Sequence, residues 1–249
     1  MSPLDNVAAV LVLLFAAFVP TLLALLWLRS GERGRKERWE HIIPTYLFGA
    51  VVAAVFATAL ELVATTLLDF VILREYEFFV RNPSTATFLL IIVIAPLVEE
   101  LAKVLGVIRF SSRYIWRPRN GLVFGAASGL GFAATENFLY ESTALFQGGY
   151  SAFLAVAIVR SFSSTLMHAS ASSIAGYGVA RAKVYGGRWW PYFGIAVLMH
   201  ASFNLFASFG ELFEGRLGSS ASLFGLLFSL VLVFAVVLYL RWRIGGYNA

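Results

Sequence analysis

Residues 7–28 read VAAVLVLLFAAFVPTLLALLWL, without one ionisable side chain. At 1.5 Å per residue such a helix is about 33 Å long, enough to cross a hydrocarbon core of about 30 Å. Comparable apolar runs recur near 44–68, 85–108, 121–140, 151–180, 191–209 and 221–240, and leave no stretch large enough for a soluble domain. Composition agrees: of 249 residues 59% are hydrophobic and 13% charged, about half the charged share of a soluble protein. The expectation is an all-α polytopic transmembrane bundle of about seven helices, one membrane domain over 1–249 with a motif-bearing core at about 85–209. The first run follows Met1–Asn6, which has no basic n-region, so it reads as a retained anchor and not a signal peptide. The short tail with Tyr247 suggests no further domain. There is no cysteine, so any chemistry must rest on oxygen and nitrogen groups.

The charges between the runs are sorted by side. Arg29, Arg33, Arg35, Lys36 and Arg38, then Arg109, Arg113, Arg117 and Arg119, then Arg181, Lys183 and Arg188, and finally Arg241 and Arg243 fall in alternate segments. They make up fourteen of the 19 Lys and Arg. The other loops hold Arg74, Arg81 and Arg216 beside Asp69, Glu75, Glu77, Glu141, Glu211 and Glu214. The positive-inside rule then places the N-terminus outside and the C-terminus in the cytoplasm; a prokaryotic plasma membrane is the location expected, although the chain carries no address of its own. A formal charge of +5 explained by topology leaves no case for nucleic acid as a partner; the lipid bilayer is the partner that composition demands.

Ionisable side chains cost several kcal/mol near a bilayer centre, so those inside the runs are the candidates for function or for structural pairing. The third run carries Glu99, Glu100 and Lys103 in APLVEELAKVLGV. Lys103 is four residues from Glu99 and three from Glu100, so it can compensate one carboxylate and leave the other free to exchange a proton. A Glu–Lys pair that only fixes packing is the plain alternative. The fourth run, GLVFGAASGLGFAATENFLY, repeats Gly121, Gly125 and Gly129 at four-residue spacing, a flat face for a neighbouring helix, and continues to Phe132, Glu136 and Asn137. Glu136 can serve catalysis or an ion pair with Arg160 of the next run; Glu61, Glu141 and Arg160 read first as structural partners. His168 lies in RSFSSTLMHASASSIAG, and His200 and Asn204 share a face in LMHASFNLF, either as an oxyanion binder or as an interhelical clamp. Helical rise puts Glu99 and His200 about 15 Å and His168 about 20 Å from the basic ends of their helices; Glu136 comes out deeper, at about 25 Å.

Carboxylates, two imidazoles and a carboxamide suit water activation and stabilisation of a tetrahedral oxyanion, hence hydrolysis of an acyl bond. A two-aspartate protease is excluded because Asp5 and Asp69, the sole aspartates, lie outside the runs. The HExxH zinc motif is absent. A serine enzyme using Ser128 and His200 stays open as the weaker alternative, since it would leave the paired glutamates idle.

The ordered set EELAK (99–103), FAATE (132–136) with Asn137, RSFSSTLMH (160–168) and HASFN (200–204) resembles the four motifs of the PrsW family, relatives of the type II CAAX-prenyl endopeptidases. The resemblance runs from about 90 to 205. It implies a glutamate-dependent intramembrane endopeptidase acting on membrane-anchored proteins such as anti-sigma factors. Its functional residues would be Glu99 and Glu100, Glu136, His168, and His200 with Asn204. The CAAX-type enzymes have histidine where this chain has Glu136, so prenyl-protein processing does not carry over. The expected mechanism has Glu99, assisted by Glu136 or His168, deprotonating water while His200 and Asn204 hold the oxyanion. No metal is favoured, because no short-spaced ligand motif is present; zinc on Glu99, His168 and His200 is the alternative. Readings of other classes are a proton- or ion-coupled transporter, which would use the same ion pairs, and a non-catalytic membrane interaction protein.

Overall fold

A computed structural model describes residues 3–218 and 220–246. Tyr247, and the side chains of Asp5, Glu214 and Arg216, lie outside the described residues. Every element among the described residues is helical. In chain order they are α1 (Pro3–Ser30), α2 (Trp39–Phe70), α3 (83–111), α4 (118–148), α5 (150–185), α6 (Trp190–Ala207), α7 (Phe209–Leu217) and α8 (Ser220–Gly245), with two short helical turns at Leu73–Glu75 and Glu77–Arg81 before α3. Four stretches are long and apolar enough to cross a membrane: Val7–Ser30, Trp39–Phe70, the joined α4–α5 pair Pro118–Tyr185, and Ser220–Gly245. Large apolar side chains such as Phe15, Leu62, Leu198 and Leu223 are exposed along the helices, as a lipid solvent requires.

The bundle is built around α4. Between Pro118 and Ala134 every residue of it is buried, so this helix has no polar face to show. Two glycine rows make that burial possible. Gly121, Gly125 and Gly129 lie against the carbonyls of Gly176, Ser172 and His168 on α5, where any Cβ would collide with backbone. On its other side, Gly131 meets the Tyr46 carbonyl of α2, and Gly49 of α2 meets the Ser128 carbonyl of α4. Close backbone approach of this kind replaces the hydrophobic drive that lipid removes.

Chain direction reverses between α4 and α5 at Gly148–Gly149, where Gly149 takes φ 70°, a conformation that L side chains rarely adopt. The long fifth run is therefore one leg of a tight antiparallel hairpin, itself broken at Ser163 (φ −112°, ψ −79°) just before the site.

In α3 a wide helical turn over Leu90–Ile94 precedes Pro96, and the Ala95 N–H bonds the Leu90 carbonyl, five residues back. The same spacing would pair the Ile91 carbonyl with the nitrogen of residue 96, but proline has no N–H. The orphaned Ile91 carbonyl accepts instead from Asn204 Nδ2 of α6 at 2.8 Å. Pro96 thereby couples α3 to α6 at the level of the site.

Candidate active site

The antiparallel hairpin explains how Glu136 reaches the others. Gly129 stands opposite His168, so Glu136 lies seven residues, or about 10 Å, beyond it along α4. Each Cα–Cβ bond tilts toward its own helix N-terminus, and in antiparallel helices those tilts converge. His168 Nε2 and Glu136 Oε2 meet at 2.6 Å. The greater depth expected for Glu136 from helical rise alone is thus corrected by side-chain direction.

Lys103 is the hub. Its ammonium, fully buried, donates to Glu99 Oε2 (2.9 Å), Glu100 Oε1 (2.9 Å) and His168 Nδ1 (2.7 Å), and lies 4.1 Å from the Phe132 ring centroid. Three donors meet three acceptors. The expectation that one lysine serves one carboxylate is corrected: it serves both, and the imidazole as well. Because an ammonium only donates, His168 Nδ1 must accept, and its proton sits on Nε2 facing Glu136.

Glu100 is fully buried and partnered at both oxygens: Oε1 also receives His200 Nδ1 (3.0 Å), and Oε2 receives Ser172 Oγ (2.9 Å). A carboxylate cannot donate, so His200 carries its proton on Nδ1 and turns the Nε2 lone pair toward Glu99 Oε2, 4.0 Å away. On the other side, Arg160 donates to Glu136 Oε2 (2.7 Å), Asn137 Oδ1 (2.8 Å) and Ser164 Oγ (2.9 Å), and Asn137 donates to Thr165 Oγ1 (2.9 Å). Arg160 therefore pairs with Glu136, and the proposed structural partners Glu61 and Glu141 keep buried carboxylate oxygens without a hydrogen bond. Ser128 donates to the Lys103 carbonyl at 2.7 Å and is fully buried, which leaves its hydroxyl no path to a substrate.

A cavity of about 540 Å³ opens above this centre. Glu99, Glu136, His168, His200 and Asn204 line it, and it extends along the helices to Glu61, Tyr140 and Arg160, at the ends away from the basic loops. Glu100 does not line it. The six candidates named from sequence thus divide into five at the cavity and one behind it. Sequence reasoning missed the Lys103–His168 bond and the Ser172–Glu100 bond; Ser172 lies one turn after His168, on the same helix face, and that spacing was the available signal.

The family model described as PrsW family intramembrane metalloprotease matches residues 37–240. The chain belongs to the PrsW family. Among curated proteins, the Protease PrsW of Clostridioides difficile (strain 630) is 26% identical over 178 residues, covering 71% of this chain and 68% of the relative. No solved structure matches. PrsW membership supports the intramembrane protease reading over the transporter and the non-catalytic interaction protein.

The family's description implies a metal, and the donor set can be tested for one. Ligand atoms of Glu99, His168 and His200 lie within 4.8 Å of one another. Glu99 and the His200 Nε2 lone pair are open. His168 is not: one ring nitrogen accepts from Lys103 and the other carries a proton held by Glu136. A dication would also face the Lys103 ammonium across the same Glu99 oxygen. In this arrangement the three residues do not fit a catalytic metal, which needs three lone pairs at about 2 Å.

Proposed function

We propose that the protein is a metal-independent intramembrane endopeptidase in which Glu99 activates water against peptide bonds of membrane-anchored proteins, anti-sigma factors among them. The observation that carries this reading is the facing pair Glu99 Oε2 and His200 Nε2, 4.0 Å apart at the cavity wall. That span is too long for a direct hydrogen bond and suits one bridging water. Such a water would donate to both groups and turn its oxygen lone pairs to the scissile carbonyl. Glu99 takes the proton, the hydroxide oxygen bonds to the carbonyl carbon, and the C–N bond then breaks as Glu99 returns the proton to the leaving amine. The second Nδ2–H of Asn204, beyond the one spent on Ile91, is the donor left for the oxyanion. His200 moves from the expected oxyanion role to holding the water. Glu136 and His168 hold Lys103, and Lys103 holds Glu99.

The same reading takes 1–249 as one membrane domain of seven crossings in a prokaryotic plasma membrane. With the basic loops in the cytoplasm, the N-terminus is outside and the cavity opens toward the outer side.

The test is cleavage of a panel of single-span membrane peptides by purified protein in detergent, with and without a strong chelator. Wild type should cleave in both conditions. Glu99→Ala and His200→Ala should each lose about 10²–10⁴-fold in rate. Equal cleavage by wild type and both variants would overturn the site, and loss on chelation with rescue by zinc would overturn its metal independence.

A further inference from the structure

We propose that the Lys103 ammonium is the resident cation of this centre, a positioning residue that closes the Glu99–His168–His200 donor set to divalent metal, and that removing its charge opens that set to zinc. The proposal rests on the reading of Glu99 and His200 as the reacting pair only in naming which groups Lys103 positions. Glu99 and Glu100 are adjacent and both buried, and Glu136 is a third carboxylate bonded to His168. Arg160 answers Glu136; among the described residues Lys103 is the cation that answers the other two. A buried carboxylate pair without a cation would be costly, so some positive charge must occupy the position that all three acceptors face.

Lys103 fills that position with matched geometry. Its three donors end on two carboxylates and an imidazole at 2.7–2.9 Å, and the Phe132 ring covers its remaining side. A metal bound to the same groups would have Glu99 and His168 as ligands and Glu100 as the carboxylate behind His200, the arrangement by which a second carboxylate fixes a ligating histidine. The ammonium takes up two of those interactions, and it leaves for the reaction His200 Nε2 and the Glu99 carboxylate, whose Oε2 accepts from Lys103 and still faces His200 Nε2 with a second lone pair. Without it, His168 Nδ1 regains a lone pair, and Glu99 and His168, 3.9 Å apart, need move only slightly toward the separation of zinc ligands, about 3.3 Å for bonds near 2.0 Å.

The experiment reads bound zinc, not proteolysis, so its failure is distinct from failure of the peptidase reading. Tag-free wild type, Lys103→Met and Lys103→Met with His168→Gln are purified in detergent, equilibrated with buffered zinc, and assayed for zinc per chain by atomic emission. Methionine keeps the length of the lysine stem; Lys103→Gln replaces it if the methionine variant is not monodisperse. Wild type should hold no stoichiometric zinc, the single variant should gain close to one equivalent, and the double variant should lose it again. One equivalent in wild type that disappears in Glu99→Ala would overturn the proposal, as would a folded Lys103 variant that gains none.

Discussion

Two buried charge clusters stand at different levels of this bundle, and they are built differently. The centre around Lys103 spends the three ammonium donors fully and turns Glu99 and His200 Nε2 to the cavity. The cap beneath it, formed by the loop 31–38 and the start of α4, is looser. Glu37 accepts from Asn120 Nδ2, its backbone N–H bonds Glu32 Oε2, and Arg119 donates to the carbonyls of Arg33 and Gly246. Yet Glu32 Oε1, Arg117 Nε and Arg119 Nε have no hydrogen-bond partner. Deep in lipid a missing partner costs several kcal/mol, whereas at the water boundary it is tolerable. The centre should therefore fail as a unit, and the cap should respond gradually.

The largest test of that contrast is Glu100→Ala. This residue touches no substrate, but its loss frees His200 and unbalances Lys103, so cleavage should fall about 10²-fold or more with KM little changed; retention of full activity would break the idea of a single unit. Next is Gly129→Val, whose side chain must push the α4 backbone off the His168 carbonyl. It should cost about 2–3 kcal/mol in detergent unfolding and lower cleavage too, since it displaces His168 from Glu136. The smallest effect belongs to the cap. Burial first, and then the neighbouring Glu32 charge, push the Glu37 carboxyl up to about 7. The folded state thus holds that proton more tightly than the unfolded one. Its contribution is complete below about pH 4.5 and is lost as pH rises toward about 7. Melting temperature in detergent should drop across that window by the equivalent of about 1–2 kcal/mol, and Glu37→Gln should flatten the drop; an unchanged slope would mean that the cap does not titrate.

The sequence showed the helices, the sided charges and the glycine face plainly, because lipid imposes each of them on single residues or short periods. It also showed which polar residues belong together. What it hid were matters of direction and of local backbone. Helical rise placed Glu136 too deep because it counts Cα positions and ignores that antiparallel side chains lean toward each other. The reach of Lys103 to a histidine 65 residues away depends on α5 lying against α4, which no spacing within one helix encodes. The Asn204–Ile91 bond arises from a wide turn meeting a proline; the Pro96 was visible, but the turn was not. The Glu136–Arg160 pair was among the pairings that the sequence offered; what the sequence left open was the choice among Glu61, Glu136 and Glu141, and Arg160 takes Glu136.

The α4–α5 hairpin also bears on how this chain can change over evolutionary time. Its two legs are in step from Gly148–Gly149 down to Gly121 and Gly176, so residues added at the bend would lengthen the tip without moving any pair below it. One residue added between Gly129 and Glu136 would turn the glutamate about 100° around its helix and away from His168, with the apolar character of the segment unaltered. Insertions and deletions should therefore collect at the bend and be purged from those seven positions, which act as a ruler between the packing face and the chemistry.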